Sequence, residues 1–250
     1  MFIKDVDIPK NLTNSPIKQA YLSIKYKCKY PDSAIYGLLI DEFQKFPQIT
    51  QMPALQLPEE VRKTLPEFKY QELYRCFLPK NDKQRFIFGI GSSVINFAVL
   101  DKYTGWQEWH SFFMPIFKEI LRQHLIISVE SISCKYVNLF DKDIFPYVNT
   151  ELKVTDVTVK DLPLSIKFDV PVEDFNVTVN ISNSLTVNGV PRVPLSMSMI
   201  DIETTKKITS DFNLENDFDS LSCKEHDIDK KVFFSLISKD LLTNFGIQEK

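Results

Sequence analysis

Apolar and polar positions alternate at the start of the chain. Ala20, Leu22, Ile24 and Tyr26 recur every second residue between Ile17 and Cys28, the period of a strand buried on one face. Pro31 and Asp32 end that run, and from Ser33 the residues Ile35, Leu38, Leu39 and Phe43 recur at three- and four-residue spacing. Ser33 therefore reads as the N-cap of a helix that stops before Pro47. Pro47, Pro53, Pro58 and Pro66 mark a surface crossing with at most one helical turn, near Glu59 to Leu65. Tyr70 to Leu78, Arg85 to Ile90 and Val94 to Val99 read as strands, turned at Asn81-Asp82 and Gly91-Ser92. The strongest helical pattern follows. Trp106, Trp109, Phe113, Phe117, Ile120 and Leu121 share one face, Thr104 is placed to cap it, and Pro115 predicts a kink or break near Phe112.

Leu125 to Leu139 reads as a long strand, and the second half is mostly extended. Val154 to Val159, Leu164 to Phe168 and Phe175 to Ile181 form three short runs divided by Pro163 and Pro171. Asn188-Gly189, where both residues tolerate positive φ, predicts a hairpin joining Ser184 to Val187 with Arg192 to Ile202. A last helix is expected from an Asp227 cap through Val232, Phe233, Leu236, Ile237 and Leu241, stopping at Gly246. Strands in runs with helices at intervals give an α+β class with mainly antiparallel sheet. The expected organisation is two sheet-plus-helix layers, compatible with a pseudo-duplication: an N-terminal α+β half over residues 1–140 and a β-rich half with a terminal helix over 141–250. The two halves can share one compact unit.

Composition adds restrictions. Of 250 residues, 44% are hydrophobic and 25% charged, which excludes a disordered chain or a fibrous repeat. Twenty Phe, nine Tyr and two Trp stand against six Gly, a poor composition for a phosphate-cradling nucleotide fold. The net charge of -3 is divided unevenly, since the seventeen acidic and eleven basic residues of 151–250 leave the first half positive. Neither nucleic acid nor an anionic membrane is attracted globally. Four dispersed cysteines without a Cys-x-x-Cys pair, no signal-like leader and no long apolar run point to a cytoplasmic protein with reduced thiols.

Candidate chemistry is sparse. Gly89-Ile90-Gly91-Ser92-Ser93 lacks the Lys-Ser or Lys-Thr pair of a phosphate loop and reads as a hairpin turn. Asp211, Asn213, Glu215, Asp217 and Asp219 alternate like calcium ligands, but Asn216 and Ser222 stand where such a loop needs Gly and Glu. The segment reads as a solvated acidic loop, and Glu215, Asp217 and Asp219 as a surface offered to a basic partner. Asp201 and Glu203, two apart at the end of a strand, project from one face and are the residue types that hold Mg²⁺. Lys206 lies three residues after Glu203, off the spacing of the common restriction-type nuclease. His110, His124 and His226 are scattered and read as surface or capping residues.

Several segments together resemble a known group. Ser15-Pro16-Ile17-Lys18-Gln19-Ala20, Ile24-Lys25-Tyr26, Phe46-Pro47, Tyr103-x-x-Trp106-x-x-Trp109 and Lys135-Tyr136-Val137-Asn138 are similar to motifs of a sporadically distributed family of uncharacterised bacterial and archaeal proteins about this long. Asp201 with Glu203, then His226 and Phe233-Phe234, extend the resemblance over nearly the whole chain. Ser131 and Lys135 stand where that family commonly has arginines, and Glu203 where it has Asp. The resemblance implies a shared fold and, from the patchy distribution, a mobile accessory role of the phage-defence or toxin-antitoxin type.

The expectation is a non-enzymatic interaction protein with a protein partner, basic where it meets the acidic segment, and with no cofactor. Lys135, Tyr136, Asn138, Asp201, Glu203 and His226 are its candidate functional residues. The alternative is a Mg²⁺-dependent nucleic-acid or nucleotide-processing enzyme that uses Asp201, Glu203 and Lys135. Nucleic acid as a partner is less favoured by the acidic balance, and a membrane is not expected.

Overall fold

The computed structural model describes residues 8–9, 12, 14–81, 84–149, 153–154, 157–158, 164–183, 197–243 and 245. In chain order the elements begin with β1 (Ile17–Cys28), α1 (Asp32–Leu38), α2 (Ile40–Phe43), β2 (Gln48–Gln51), α3 (Glu59–Thr64) and α4 (Pro66–Lys69). There follow β3 (Tyr74–Asn81), β4 (Gln84–Ile90), β5 (Val94–Leu100), α5 (Trp106–Arg122), β6 (Ile126–Phe140), β7 (Lys153–Val154) and β8 (Val157–Thr158). The chain continues through β9 (Ser165–Val172), β10 (Phe175–Ser182), β11 (Ser198–Lys207), α6 (Leu214–Leu236) and α7 (Lys239–Thr243). Nine antiparallel strands are hydrogen-bonded in the order β2-β3-β4-β5-β1-β6-β11-β10-β9, with helices packed on them, so the class is α+β as expected. Among the described residues no helix is long and apolar enough to cross a membrane.

The chain forms two compact units. The first comprises Gln19–Cys134 and Thr205–Lys224. Its core is aromatic: α5 directs Trp109, Phe113 and Phe117 inward, all at most 1% exposed, and Phe113 meets Phe97 of β5 at 5.5 Å. Trp106, expected to be equally buried, is half-buried and contacts Trp109 edge-on. The expected break at Pro115 does not occur. Pro115 lies on the exposed side of a continuous helix, where the carbonyl that loses its partner is open to water. Gly105, not Thr104, is the N-cap, and Thr104 instead donates to the Glu108 carboxylate. His124, with φ +51°, takes the left-handed position after the helix, in keeping with a capping role.

Two other expectations in this unit are corrected. Ser33 is not the cap of α1, because the helix starts at Asp32 behind Pro31 and makes no side-chain cap bond. The proline-rich stretch is also more structured than one helical turn. β2 pairs with β3, while Pro66 opens α4 and Pro58 is the N-cap of α3, positions where a missing N–H costs nothing. The glycine-rich turn between β4 and β5 is a hairpin, as expected.

The second unit comprises Met1–Lys18, Lys135–Thr204 and Glu225–Lys250. Val177, Val179, Ile181, Ile200 and Ile202 are buried at 1% or less on one face of β10 and β11. Pro171, expected to divide two runs, lies within β9, which is the last strand in the order and, among the described residues, has one side without a strand neighbour. The predicted Asn188-Gly189 hairpin falls outside the described residues. The single helix expected from Asp227 to Gly246 is instead two: α6 begins at Leu214 and ends at Leu236, and α7 covers Lys239–Thr243, while Gly246 falls outside the described residues.

Candidate functional site

The six candidate residues of the second unit separate into two groups. Lys135 and Tyr136 are consecutive in β6, and the pleat sends them to opposite faces. On one face Lys135 Nζ lies 2.8 Å from Asp201 Oδ2, with side-chain exposures of 32% and 16%. Glu203 follows two residues along β11 and is half-buried with it.

On the other face, the Tyr136 hydroxyl lies 2.7 Å from His226 Nδ1. Burial pushes the His226 pKa down to about 4; Lys230 adds to that shift and Asp227 opposes it. The ring is therefore neutral at pH 7, and the bond to Tyr136 joins two uncharged groups. Asn138, 2% exposed, donates from Nδ2 to the Ile200 carbonyl at 3.1 Å and braces β6 against β11. Thr204 does the same between sheet and helix through a 2.6 Å bond to Asp229. Tyr136, Asn138 and His226 thus serve the interior, whereas Lys135 and Asp201 face the accessible side.

The acidic segment belongs to the first unit up to Lys224, and it is not a loop. Leu214, Phe218 and Leu221 recur at helical spacing, and Phe218 stacks on Phe117 of α5 at 3.8 Å. This packing outweighs the alternating carboxylates that suggest an extended or loop conformation. Asn213 caps the helix. Its Oδ1 accepts from the Glu215 and Asn216 amides, both at 3.1 Å, and its own amide donates to Asp217 Oδ2 at 2.8 Å. Glu215 and Asp217 lie in the first turn, where negative charge also complements the helix dipole.

Beside this turn is a cavity of about 300 Å³ lined by Leu121, His124, Ile126, Phe212, Asn213, Leu214 and Glu215. Its wall mixes apolar Leu121, Ile126, Phe212 and Leu214 with polar His124 and Asn213 and the carboxylate of Glu215. Ile127, adjacent in sequence to the lining, is 57% exposed.

Asp219 has a different role from its acidic neighbours. Its Oδ1 lies 2.6 Å from His110 Nε2 on α5 and 4.0 Å from Cys223 Sγ one turn along α6. The three ligand atoms all fall within 4.8 Å of one another. Sequence reading sets His110 and Cys223 aside because their partner is more than a hundred residues away in one case and hidden in a misread helix in the other. The available signal was the spacing of Asp219 and Cys223, four apart and hence on one helical face. No protein-family model matches the chain, and no curated protein matches it either.

Proposed function

We propose that the chain is a non-enzymatic interaction protein that engages a protein partner through the groove beside the start of α6. Its setting, on the resemblance described above, is a mobile accessory system of the phage-defence or toxin-antitoxin type. The carrying observation is the groove itself: apolar Leu121, Ile126, Phe212 and Leu214 meet the acidic first turn of α6. Apolar side chains interleaved with polar and charged ones are common in recognition patches, and this acidic turn selects a basic segment with an apolar anchor.

The test is kinetic, against the partner that co-purifies with the native protein. Association should slow several-fold as salt rises, because charge steering fades as the Debye length falls from about 10 Å at 0.1 M to about 3 Å at 1 M. Glu215→Lys should slow association and Phe212→Ala should speed dissociation, with circular dichroism confirming the fold. Unchanged rates in both variants would remove the groove from the interface.

A second reading, a Mg²⁺-dependent nucleic-acid or nucleotide-processing enzyme, is favoured by one observation: Lys135 and Asp201 meet on the face that also carries Glu203. In the present geometry the Lys135 charge is satisfied by Asp201, so phosphate or metal would have to open that pair. Hydrolysis of a nucleic acid that requires Mg²⁺ and is lost in Asp201→Asn would establish this reading over the first.

A further inference from the structure

We propose that His110, Asp219 and Cys223 form a binding site for a borderline divalent transition metal of the zinc type. The inference stands apart from the interaction reading, because it rests on different atoms and predicts a ligand of another kind.

The donor set selects the metal. An imidazole nitrogen, a carboxylate oxygen and a thiolate sulfur suit zinc and its neighbours, whereas magnesium and calcium take oxygen ligands. With Asp219 and Cys223 ionised and His110 neutral, the three ligands carry two negative charges and balance a divalent cation. A half-exposed site whose ligands neutralise the ion avoids the cost of an uncompensated charge.

The geometry is close to what such an ion needs. Bond lengths of about 2.0 Å to nitrogen and oxygen and 2.3 Å to sulfur place tetrahedral ligand atoms roughly 3.3 to 3.5 Å apart. The separations here, 2.6 Å for His110 to Asp219 and 4.0 Å for Asp219 to Cys223, bracket that range. All three pairs, His110 with Cys223 included, lie within 4.8 Å. Asp219 has 57% of its side chain exposed, so the fourth position is open to water.

The surroundings hold the ligands in place. Trp106 and Phe113 pack against the His110 ring at 5.6 and 5.2 Å. Phe218, immediately before Asp219, is stacked on Phe117, which fixes the start of α6 against α5. A bound ion would therefore tie these two helices at a point where they already meet. Because a metal ligand must be deprotonated, binding should release a proton from Cys223 and weaken as pH falls.

Cobalt(II) gives a direct readout. Titration of the full chain should give one equivalent of tetrahedral d–d absorption together with a near-ultraviolet thiolate-to-cobalt band, and zinc should displace both. Cys223→Ser should lose the thiolate band, His110→Gln should weaken affinity tenfold or more, and Cys28→Ser should change neither. Circular dichroism of each variant checks the fold. Absence of the thiolate band at millimolar cobalt, or its persistence in Cys223→Ser, would overturn the proposal.

Discussion

The Tyr136 hydroxyl of β6 and the His226 Nδ1 of α6 form a 2.7 Å hydrogen bond on the helix-covered side of the sheet. Burial keeps the imidazole neutral, so the bond joins two uncharged groups and is lost as a neutral contact when the ring takes a second proton. The bond is thus a structural joint that depends on protonation.

The first prediction follows from its sign. His226 titrates near 6.5 when unfolded and at about 4 when folded. Above the unfolded value neither state gains a proton and the joint is intact. As pH falls below it the unfolded chain binds the proton first, so stability declines until the folded pKa is passed. The loss approaches about 3 kcal/mol. Urea unfolding between neutral pH and pH 4 should show this slope, and His226→Gln should remove it. Tyr136→Phe should cost about 1–2 kcal/mol at pH 7 by withdrawing the buried partner of the imidazole nitrogen.

Asp32 and Arg62, 2% and 5% exposed, form a buried ion pair, and Arg62 Nη1 also donates to the Ala54 carbonyl at 3.0 Å. Replacing Arg62 by Leu leaves the Asp32 charge without its cation and should cost about 3–5 kcal/mol. Adding Asp32→Asn should recover part of that loss. Equal stability of the single and double variants in denaturant titration would contradict this.

Two glycines of the β4–β5 hairpin allow close approach. A Cβ at Gly91 would stand 2.1 Å from the Gln71 carbonyl oxygen, and one at Gly89 would stand 2.2 Å from the Glu72 carboxyl carbon. Glu72 can swing aside by surrendering its bonds from Asn96 at 2.7 Å and Arg75 at 2.6 Å, so Gly89→Ala should cost about 1–3 kcal/mol. Backbone cannot swing aside, and Gly91→Ala should cost more. Thermal melts of the two variants give the order directly.

Magnesium separates the two functional readings. If Asp201 is occupied by Lys135 as a structural pair, millimolar Mg²⁺ should leave the melting temperature unchanged, since a ligand at a hundred times its dissociation constant would stabilise by about 2.7 kcal/mol. A rise abolished by Asp201→Asn would favour the enzyme.

Much of the fold is legible because burial imposes a period. The alternation from Ala20 to Tyr26 and the aromatic stripe of α5 each have one dry face, and their elements form where expected. The start of α6 was hidden by polar residues that satisfy caps and dipoles locally, although Leu214, Phe218 and Leu221 carry the helical period. Prolines near residue 58 misled in the opposite sense, because a residue that breaks a helix interior also begins one well. The pairing of Lys135 with Asp201 joins two candidates that the sequence had already singled out. His110 meeting Asp219 was illegible, since nothing local encodes which faces of two helices meet.

The proline in β9 has a consequence for the protein in concentrated solution. The Val172↔Phe175 pair closes a two-residue loop, so the next pair, Pro171 with Asn176, turns the Pro171 nitrogen away from β10. A second molecule approaching that margin would find a ring where a ladder needs a donor, with the exposed charges of Lys167 and Asp169 along the same strand. The opposite margin, β2, offers only four residues. Among the described residues both ends of the strand order are therefore poor templates for growth, which guards a chain this rich in strand against lengthening into fibrils edge by edge.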